Sequence, residues 1–193
     1  MSNQARISTG ADTLQTLRFA AIAVIANLLL IVSAKVQVPF WPIPMTMQTG
    51  AVLAIGMGLG ARGAALVIGG YLLEGALGLP VFAGTPQHGL GLAYMVGPTG
   101  GYLVGFLVAG VLVGLAAERG WTSSIARALF TLSLAHVFIL AIGAVWLSVM
   151  MGWQSAWTFG VAPFLVGTVF KAGLGAALCW PLTHLRRGLN PDD

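Results

Sequence analysis

Long apolar segments alternate with polar or glycine- and proline-rich stretches along the chain. A helix that crosses the hydrocarbon core of a bilayer needs about 20 mostly apolar residues, and six segments reach or approach that length. The pattern therefore predicts an all-α membrane protein with six transmembrane helices. The predicted helices cover Phe19–Ala34, Met45–Gly58, Ala61–Leu77, Gly100–Ala117, Ile125–Met151 and Phe159–Trp180. The second is short, and a full crossing needs the proline-rich residues that precede it.

The composition agrees with a chain that faces lipid. Of the 193 residues, 58% are hydrophobic and 7% are charged, and the mean hydropathy is +0.91. Soluble domains carry about a quarter charged residues, because their surfaces must face water. After six crossings too few residues remain for a sizeable soluble domain. We therefore expect a polar N-terminal tail at residues 1–17, one transmembrane domain at 18–185 and a cytoplasmic C-terminal tail at 186–193.

Lysine and arginine are distributed unevenly over the predicted loops. Cytoplasmic loops of membrane proteins carry an excess of these residues. With six crossings and a cytoplasmic N-terminus, the outer side receives only Lys35, and the outer connections 78–98 and 152–158 contain neither lysine nor arginine. The inner side receives Arg6, Arg18, Arg62, Arg119, Arg127, Arg186 and Arg187. The sequence thus predicts that both termini lie in the cytoplasm.

The predicted outer loops are far more elaborate than the inner ones. One contains VQVPFWPIPMT, with three prolines in six residues, and another is rich in glycine, proline and aromatic residues between 78 and 98. Irregular backbone at membrane depth is tolerated only where it is buried in protein or lines a cavity. We expect these loops to form a stiff lid over a pocket that opens outward. The alternative is that they are only rigid connections between helices.

Three ionisable side chains fall inside predicted transmembrane helices. An ionisable group there costs about 2.5–3.5 kcal/mol on insertion scales, so it calls for a partner or a function. Glu74 and Lys171 have opposite charges and could pair across the bundle, or one or both could face a polar ligand. His136 stands alone on an apolar helix, and we expect it to form a hydrogen bond with a neighbouring helix.

Motifs of common catalytic centres are missing from the sequence. There is no HExxH, no GxSxG, no pair of carboxylates spaced as DxxD and no Walker motif. This pattern favours a binding or transport protein with no enzymatic activity, no cofactor and no metal. The alternative from another class is a membrane enzyme that acts on a lipid or an isoprenoid through Glu74, His136 and Lys171.

Several segments go beyond these general patterns. VPFWPIPMTMQT (Val38–Thr49), YLLEGALGLPVFAG (Tyr71–Gly84) and GPTGGYLVGF (Gly97–Phe106) follow one another in the order and spacing of the BioY family. A weaker match, PFLVGTVFKAGLGA, lies at Pro163–Ala176. The chain therefore resembles the BioY family, the biotin-binding S components of energy-coupling-factor (ECF) transporters.

This resemblance implies a six-helix S-component fold with a substrate pocket near the outer face, covered by the first and third outer loops. It also implies high-affinity biotin binding and uptake across the cytoplasmic membrane of a prokaryote. The implied partners are biotin, membrane lipid, an ECF transmembrane coupling protein and ATPase subunits, with no nucleic acid. The alternative within the same fold is an S component for another small vitamin.

The expected binding residues come partly from the resemblance and partly from the chemistry of biotin, which has apolar rings, a polar ureido group and a carboxylate. The expected substrate-binding residues are Trp41, Thr46, Gln48, Tyr71, Glu74, Phe82, Tyr94, Gly97, Pro98, Thr99, Gly100, Tyr102, Thr168 and Lys171. The family usually has an aspartate where this chain has Thr168, and Glu74 could replace it. Lys171, Gln48 and Thr99 could donate to the ureido carbonyl. Alternatively, Lys171 or Lys35 could meet the carboxylate.

Overall fold

The computed structural model describes residues 2–38 and 45–177, and in these ranges the chain is almost entirely helical. A two-stranded antiparallel pair joins β1 and β2, with Gln37 opposite Thr46 and Val38 opposite Met45. The elements are α1 (Ser2–Lys35), β1 (Gln37–Val38), β2 (Met45–Thr46), α2 (Gln48–Ala76), α3 (Gly91–Met95), α4 (Gly100–Glu118), α5 (Ile125–Met151), α6 (Trp153–Ser155), a π-helical segment (Ala156–Val161) and α7 (Ala162–Ala177).

Helix α2 is a hairpin of two helical halves, because its backbone turns at Gly60. The φ angle of Gly60 is +71°, a left-handed conformation that glycine adopts at little cost. The side-chain amide of Gln48 donates to the hydroxyl of Tyr71 over 2.7 Å, which a straight helix could not allow across 23 residues. The turn falls between the second and third predicted helices, so the boundary predicted there is confirmed.

The turn at Gly60 is stabilised by the end of α4. A carboxylate oxygen of Glu118 accepts a hydrogen bond of 2.7 Å from the backbone N–H of Ala61. The first N–H groups of a helix lack partners within that helix, and a carboxylate placed there also complements the helix dipole. Glu118 therefore caps the second half of α2 from outside.

Glycines bring α2, α4 and α5 into close contact. A methyl group added at Gly56 would fall against the backbone of Gly110, and one added at Gly114 would fall against the backbone of Gly60 and Ala61. At Gly105 the added methyl group would lie 3.1 Å from the Cα of Ile139. Small residues at these positions therefore let the helix backbones approach closely.

Several helix boundaries differ from the prediction. α1 begins at Ser2, well before the predicted start at Phe19. The predicted outer connection after Met151 is mostly helical as well, since only Gly152 separates α5 from α6. The loop before Gly100 contains the short helix α3, which periodicity cannot reveal over five residues. The fifth helix, Ile125–Met151, begins and ends where it was predicted.

Four of the described helical stretches are long and apolar enough to cross a membrane, and α2 counts as one of them. They are Thr13–Lys35, Gln48–Ala76, Gly100–Glu118 and Ile125–Met151. Their outward surfaces are strongly apolar: Ile25 is 65% exposed on α1 and Val149 is 84% exposed on α5. Such surfaces are stable in lipid rather than in water. The chain is therefore a multi-pass membrane protein.

Candidate functional site

A cavity of about 340 Å³ lies between α2, α4, α5, the π-helical segment and α7, and the loop before α4 covers part of it. Its walls are mostly apolar, with Leu103, Phe106, Ile139 and Phe164 among the lining residues. Apolar walls with a few polar groups are typical of small-molecule sites. The predicted binding residues that line this cavity are Thr46, Gln48, Tyr94, Pro98, Thr99, Tyr102 and Lys171.

Lys171 is the cationic group on the helical side of the cavity. Its ammonium nitrogen lies 2.8 Å from the backbone oxygen of Thr46 and 2.8 Å from the hydroxyl of Thr49. A lysine ammonium has three N–H donors. These two bonds fix its position, and none of the described residues accepts from the third donor. Thr46 and Thr49, on either side of the first residue of α2, thus hold the Lys171 side chain at the cavity wall.

Gln48 and Tyr71 form a hydrogen-bonded chain behind the cavity. The amide of Gln48 donates to the Tyr71 hydroxyl, and that hydroxyl donates in turn to the backbone oxygen of Val81 at 3.3 Å. Tyr71 is fully buried and does not line the cavity. It therefore acts on the site by orienting Gln48, which does line it.

A cluster of three aromatic rings supports the loop over the cavity. Phe82 packs edge-on against Tyr71 with ring centroids 5.3 Å apart, and it stacks on Tyr94 at 4.9 Å. The Tyr94 hydroxyl donates to the backbone oxygen of Ala83 over 2.8 Å. Burial raises the pKa of the Tyr94 hydroxyl still further above neutral pH, so the group is a protonated donor in this bond. Phe82 lies behind Tyr94 rather than in the cavity wall.

The segment from Gly97 to Tyr102 is tied to α5 and to the π-helical segment. Trp146 donates from its indole nitrogen to the backbone oxygen of Gly97 over 2.9 Å, and Tyr102 donates from its hydroxyl to the oxygen of Gly160 over 2.8 Å. At Gly100 an added methyl group would collide with the backbone of Met95. Gly97 and Gly100 shape the loop, whereas Pro98 and Thr99 face the cavity.

Glu74 lies in a different groove, between α1, α2 and the residues that follow α2. One carboxylate oxygen accepts from the side-chain amide of Asn27 at 3.2 Å, and the other has no partner among the described residues. The predicted alternative of a Glu74–Lys171 pair is therefore wrong, because the two side chains line different cavities and have different partners.

His136 also differs from the prediction. Its Nδ1 bonds to the backbone oxygen of Leu132, one turn earlier in the same helix, at 2.8 Å, and not to a neighbouring helix. Its Nε2 is buried without a partner in the described part of the chain.

Two of the predicted binding residues cannot be located among the described side chains. Trp41 lies outside the described residues, and so does the side chain of Thr168.

Comparison with known proteins assigns the chain to a family. A sequence model of the BioY family matches residues 3–188. The chain belongs to the BioY family. It is 37% identical to a probable biotin transporter BioY of Pyrococcus horikoshii over 73% of this chain and 81% of that protein. It is 34% identical to the biotin transporter BioY2 of Lactococcus lactis over 91% of this chain and 93% of that protein.

A solved structure shows the same fold. The chain superposes on the crystal structure of the S-component for biotin from an ECF-type ABC transporter with a TM-score of 0.74, at 22% sequence identity. The match covers 97% of this chain and 95% of that chain. The helical S-component fold predicted for this BioY protein is therefore confirmed.

Lys35 connects α1 to the loop above the cavity of this BioY protein. Its ammonium group donates to the backbone oxygens of Phe82 and Thr85, at 2.7 and 3.1 Å, and to the Thr85 hydroxyl at 2.8 Å. These bonds use all three N–H donors. Lys35 does not line the cavity. The alternative in which it meets a ligand carboxylate has no support in this geometry.

Replacing Lys35 with methionine is expected to loosen this loop. The variant removes three hydrogen bonds donated by an ammonium group, and a hydrogen bond to a charged group contributes about 1.5–3 kcal/mol. Amide hydrogens of residues 81–85 should therefore exchange about tenfold faster or more, as measured by mass spectrometry. Lys35→Arg, which keeps the donors, is the control, and α4 is the internal reference. Unchanged exchange in Lys35→Met would show that the three bonds do not hold the loop.

His88 is a cavity residue that the sequence analysis did not single out. It lies in the elaborate loop between Gly78 and Pro98, where every other side chain except the phenol of Tyr94 is non-ionisable. That isolation is the signal by which it could have been found. An imidazole that can donate or accept hydrogen bonds, alone in a loop expected to cover a pocket, is a candidate for ligand contact.

Proposed function

We propose that this chain binds biotin with high affinity as the substrate-specific subunit of an ECF-type transporter and serves in its uptake. The observation that carries the proposal is the cavity wall around Lys171, where one ammonium N–H has no acceptor among the described residues and the surrounding side chains are mostly apolar. Relatives at 37% and 34% identity are named biotin transporters. These relatives and the missing catalytic motifs favour transport over the enzyme alternative.

The chemistry of biotin suits this cavity. Its fused rings and aliphatic chain are apolar and match walls formed by Leu103, Phe106, Ile139 and Phe164. Its ureido group and its carboxylate need hydrogen-bonding partners if they leave water. Lys171, Gln48 and Thr99 offer such groups from three different elements. A volume of about 340 Å³ falls in the range of small-molecule sites.

The membrane arrangement that we propose has six crossings, with both termini in the cytoplasm and the cavity near the outer face. The two halves of α2 then count as separate crossings that turn at Gly60. The predicted inner side carries Arg62, Arg119 and Arg127, in keeping with the distribution of positive charge in membrane proteins. Residues 18–185 form the transmembrane domain, between tails at 1–17 and 186–193, in the cytoplasmic membrane of a prokaryote.

The sequence contains no Walker motif that would supply energy from ATP. We propose that a transmembrane coupling protein and ATPase subunits of the ECF type provide it. The similarity to an S-component structure supports such an assembly.

The test is a titration of the detergent-purified protein with biotin, followed by tryptophan fluorescence and by calorimetry. Trp146 donates to the backbone oxygen next to Pro98, so ligand binding at this wall should change its emission. We expect saturable binding of biotin, and none of thiamine or riboflavin at the same concentrations. Binding of one of those vitamins in preference to biotin would indicate an S component of different specificity. A folded sample without fluorescence change or heat for biotin would refute the assignment.

A further inference from the structure

A compact turn places the imidazole of His88 at the cavity. The backbone N–H of His88 donates to the oxygen of Gly84 over 2.9 Å, and Gly89 donates to the oxygen of Pro86 over 3.0 Å. Gly84 has φ +68°, and a methyl group on it would collide with the His88 ring. Glycine at 84 therefore allows both the turn and the position of the imidazole against it. Lys35 holds the same turn through Phe82 and Thr85.

The charge of the cavity favours an anion. Among the described residues that line it, Lys171 and His88 are the basic side chains, and none carries a carboxylate. Glu74, the acidic residue among the predicted substrate-binding residues, lies in the separate groove between α1 and α2. A low-dielectric cavity with basic groups and no acidic group attracts a ligand with one negative charge.

The two basic groups differ in what they still offer to a ligand. Lys171 is half-buried and already donates to Thr46 and Thr49, so one N–H remains for a neutral acceptor such as a carbonyl oxygen. His88 is exposed on the covering loop. Removing a carboxylate from water costs much more free energy than removing a ureido group. Next to the exposed His88 the carboxylate keeps part of its hydration. The exposed end of the cavity is therefore the favourable place for the negative charge.

We propose that the imidazole of His88 contacts the carboxylate of the bound ligand and selects the free acid over forms whose carboxyl group is blocked. The inference rests on the proposed binding of biotin and adds the orientation of the ligand, with the carboxylate at the loop and the ureido carbonyl at Lys171. A hydrogen bond to a carboxylate is about twice as strong as one between neutral groups, so His88 distinguishes an acid from its amide.

The test compares the affinities of biotin and biotinamide by calorimetry at one pH and one salt concentration. His88→Ala should weaken biotin binding about tenfold and leave biotinamide binding nearly unchanged. His88→Lys, which places an ammonium donor at this position, should keep most of the preference for the acid. Gln87→Ala is the matched control, because Gln87 is exposed on the same turn and does not line the cavity.

The outcomes separate this inference from the proposed function. If the wild-type protein binds neither ligand, the biotin assignment itself fails. If wild type binds biotin but His88→Ala weakens both ligands equally, or neither, the carboxylate is not at His88 and the inference is wrong. If the carboxylate instead lies at Lys171, Lys171→Met should weaken the binding of biotin but not of biotinamide, and His88→Ala should not weaken biotin selectively. That result would also show that the inference is wrong.

Discussion

Replacing Gly114 with alanine is expected to lower the free energy of unfolding by about 1–3 kcal/mol, the usual cost of adding a methyl group to a tightly packed interior. The added carbon would fall against backbone atoms of Gly60 and Ala61. These atoms form the turn of the α2 hairpin and cannot rotate away as a side chain can. The measurement is unfolding of the purified protein in mixed micelles, followed by circular dichroism.

Gly69→Ala is the matched control for this variant. It also replaces a glycine with alanine inside a helix, here α2 instead of α4, but the added methyl group would meet no atom within 4 Å. Alanine has a helix propensity about 1 kcal/mol better than that of glycine, so Gly69→Ala should be neutral or slightly stabilising. Equal stability of the two variants would show that the helices do not approach closely at Gly114.

Replacing Lys171 with methionine is expected to weaken biotin binding by at least about tenfold, because a hydrogen bond from a charged donor contributes about 1.5–3 kcal/mol. Methionine keeps a similar length and removes the ammonium group. The variant also leaves the oxygens of Thr46 and Thr49 without their donor. Calorimetric titration with biotin measures the loss of affinity.

Two controls show whether this loss is direct. Thr49→Val removes a partner of Lys171 but keeps the ammonium group, so its effect on affinity should be several-fold smaller. Gln87→Ala changes an exposed side chain that does not line the cavity, and it should bind biotin like wild type. If Lys171→Met binds biotin like wild type while remaining folded, Lys171 does not contact the ligand.

The helical framework was predictable because the membrane restricts the possibilities. Every backbone polar group must find a partner inside lipid, so a long apolar segment has to be a helix. The turn between the second and third helices was also predictable, since Gly60 and Arg62 interrupt a continuous apolar stretch. The six-crossing topology and the orientation of the termini stay predictions.

The partners of the intramembrane ionisable residues were harder to predict. Opposite charge made a Glu74–Lys171 pair attractive, but charge says nothing about the rotation of each helix. Tyr71 and Glu74 are three positions apart, which places them about 60° from each other around a helix axis. Tyr71 bonds to Gln48 behind the cavity, whereas Glu74 bonds to Asn27 of α1. Only tertiary packing determines which of the two faces α1.

The binding residues were partly predictable for a related reason. Motif residues such as Thr46, Pro98 and Lys171 line the cavity, in keeping with the resemblance that named them. His88 and Lys35 act through a turn whose geometry depends on Gly84 and on long-range hydrogen bonds. Local sequence patterns do not reveal contacts between residues about 50 positions apart.

The bonds of Lys35 have a mechanical consequence. Lys35 is the last residue of α1, and its three hydrogen bonds reach the segment that carries Phe82 and Thr85. Phe82 in turn stacks on Tyr94, a cavity residue. A tilt of α1 in the bilayer would therefore pull the cover of the cavity with it. The orientation of α1 and the position of the cavity cover are thus mechanically linked through a single side chain.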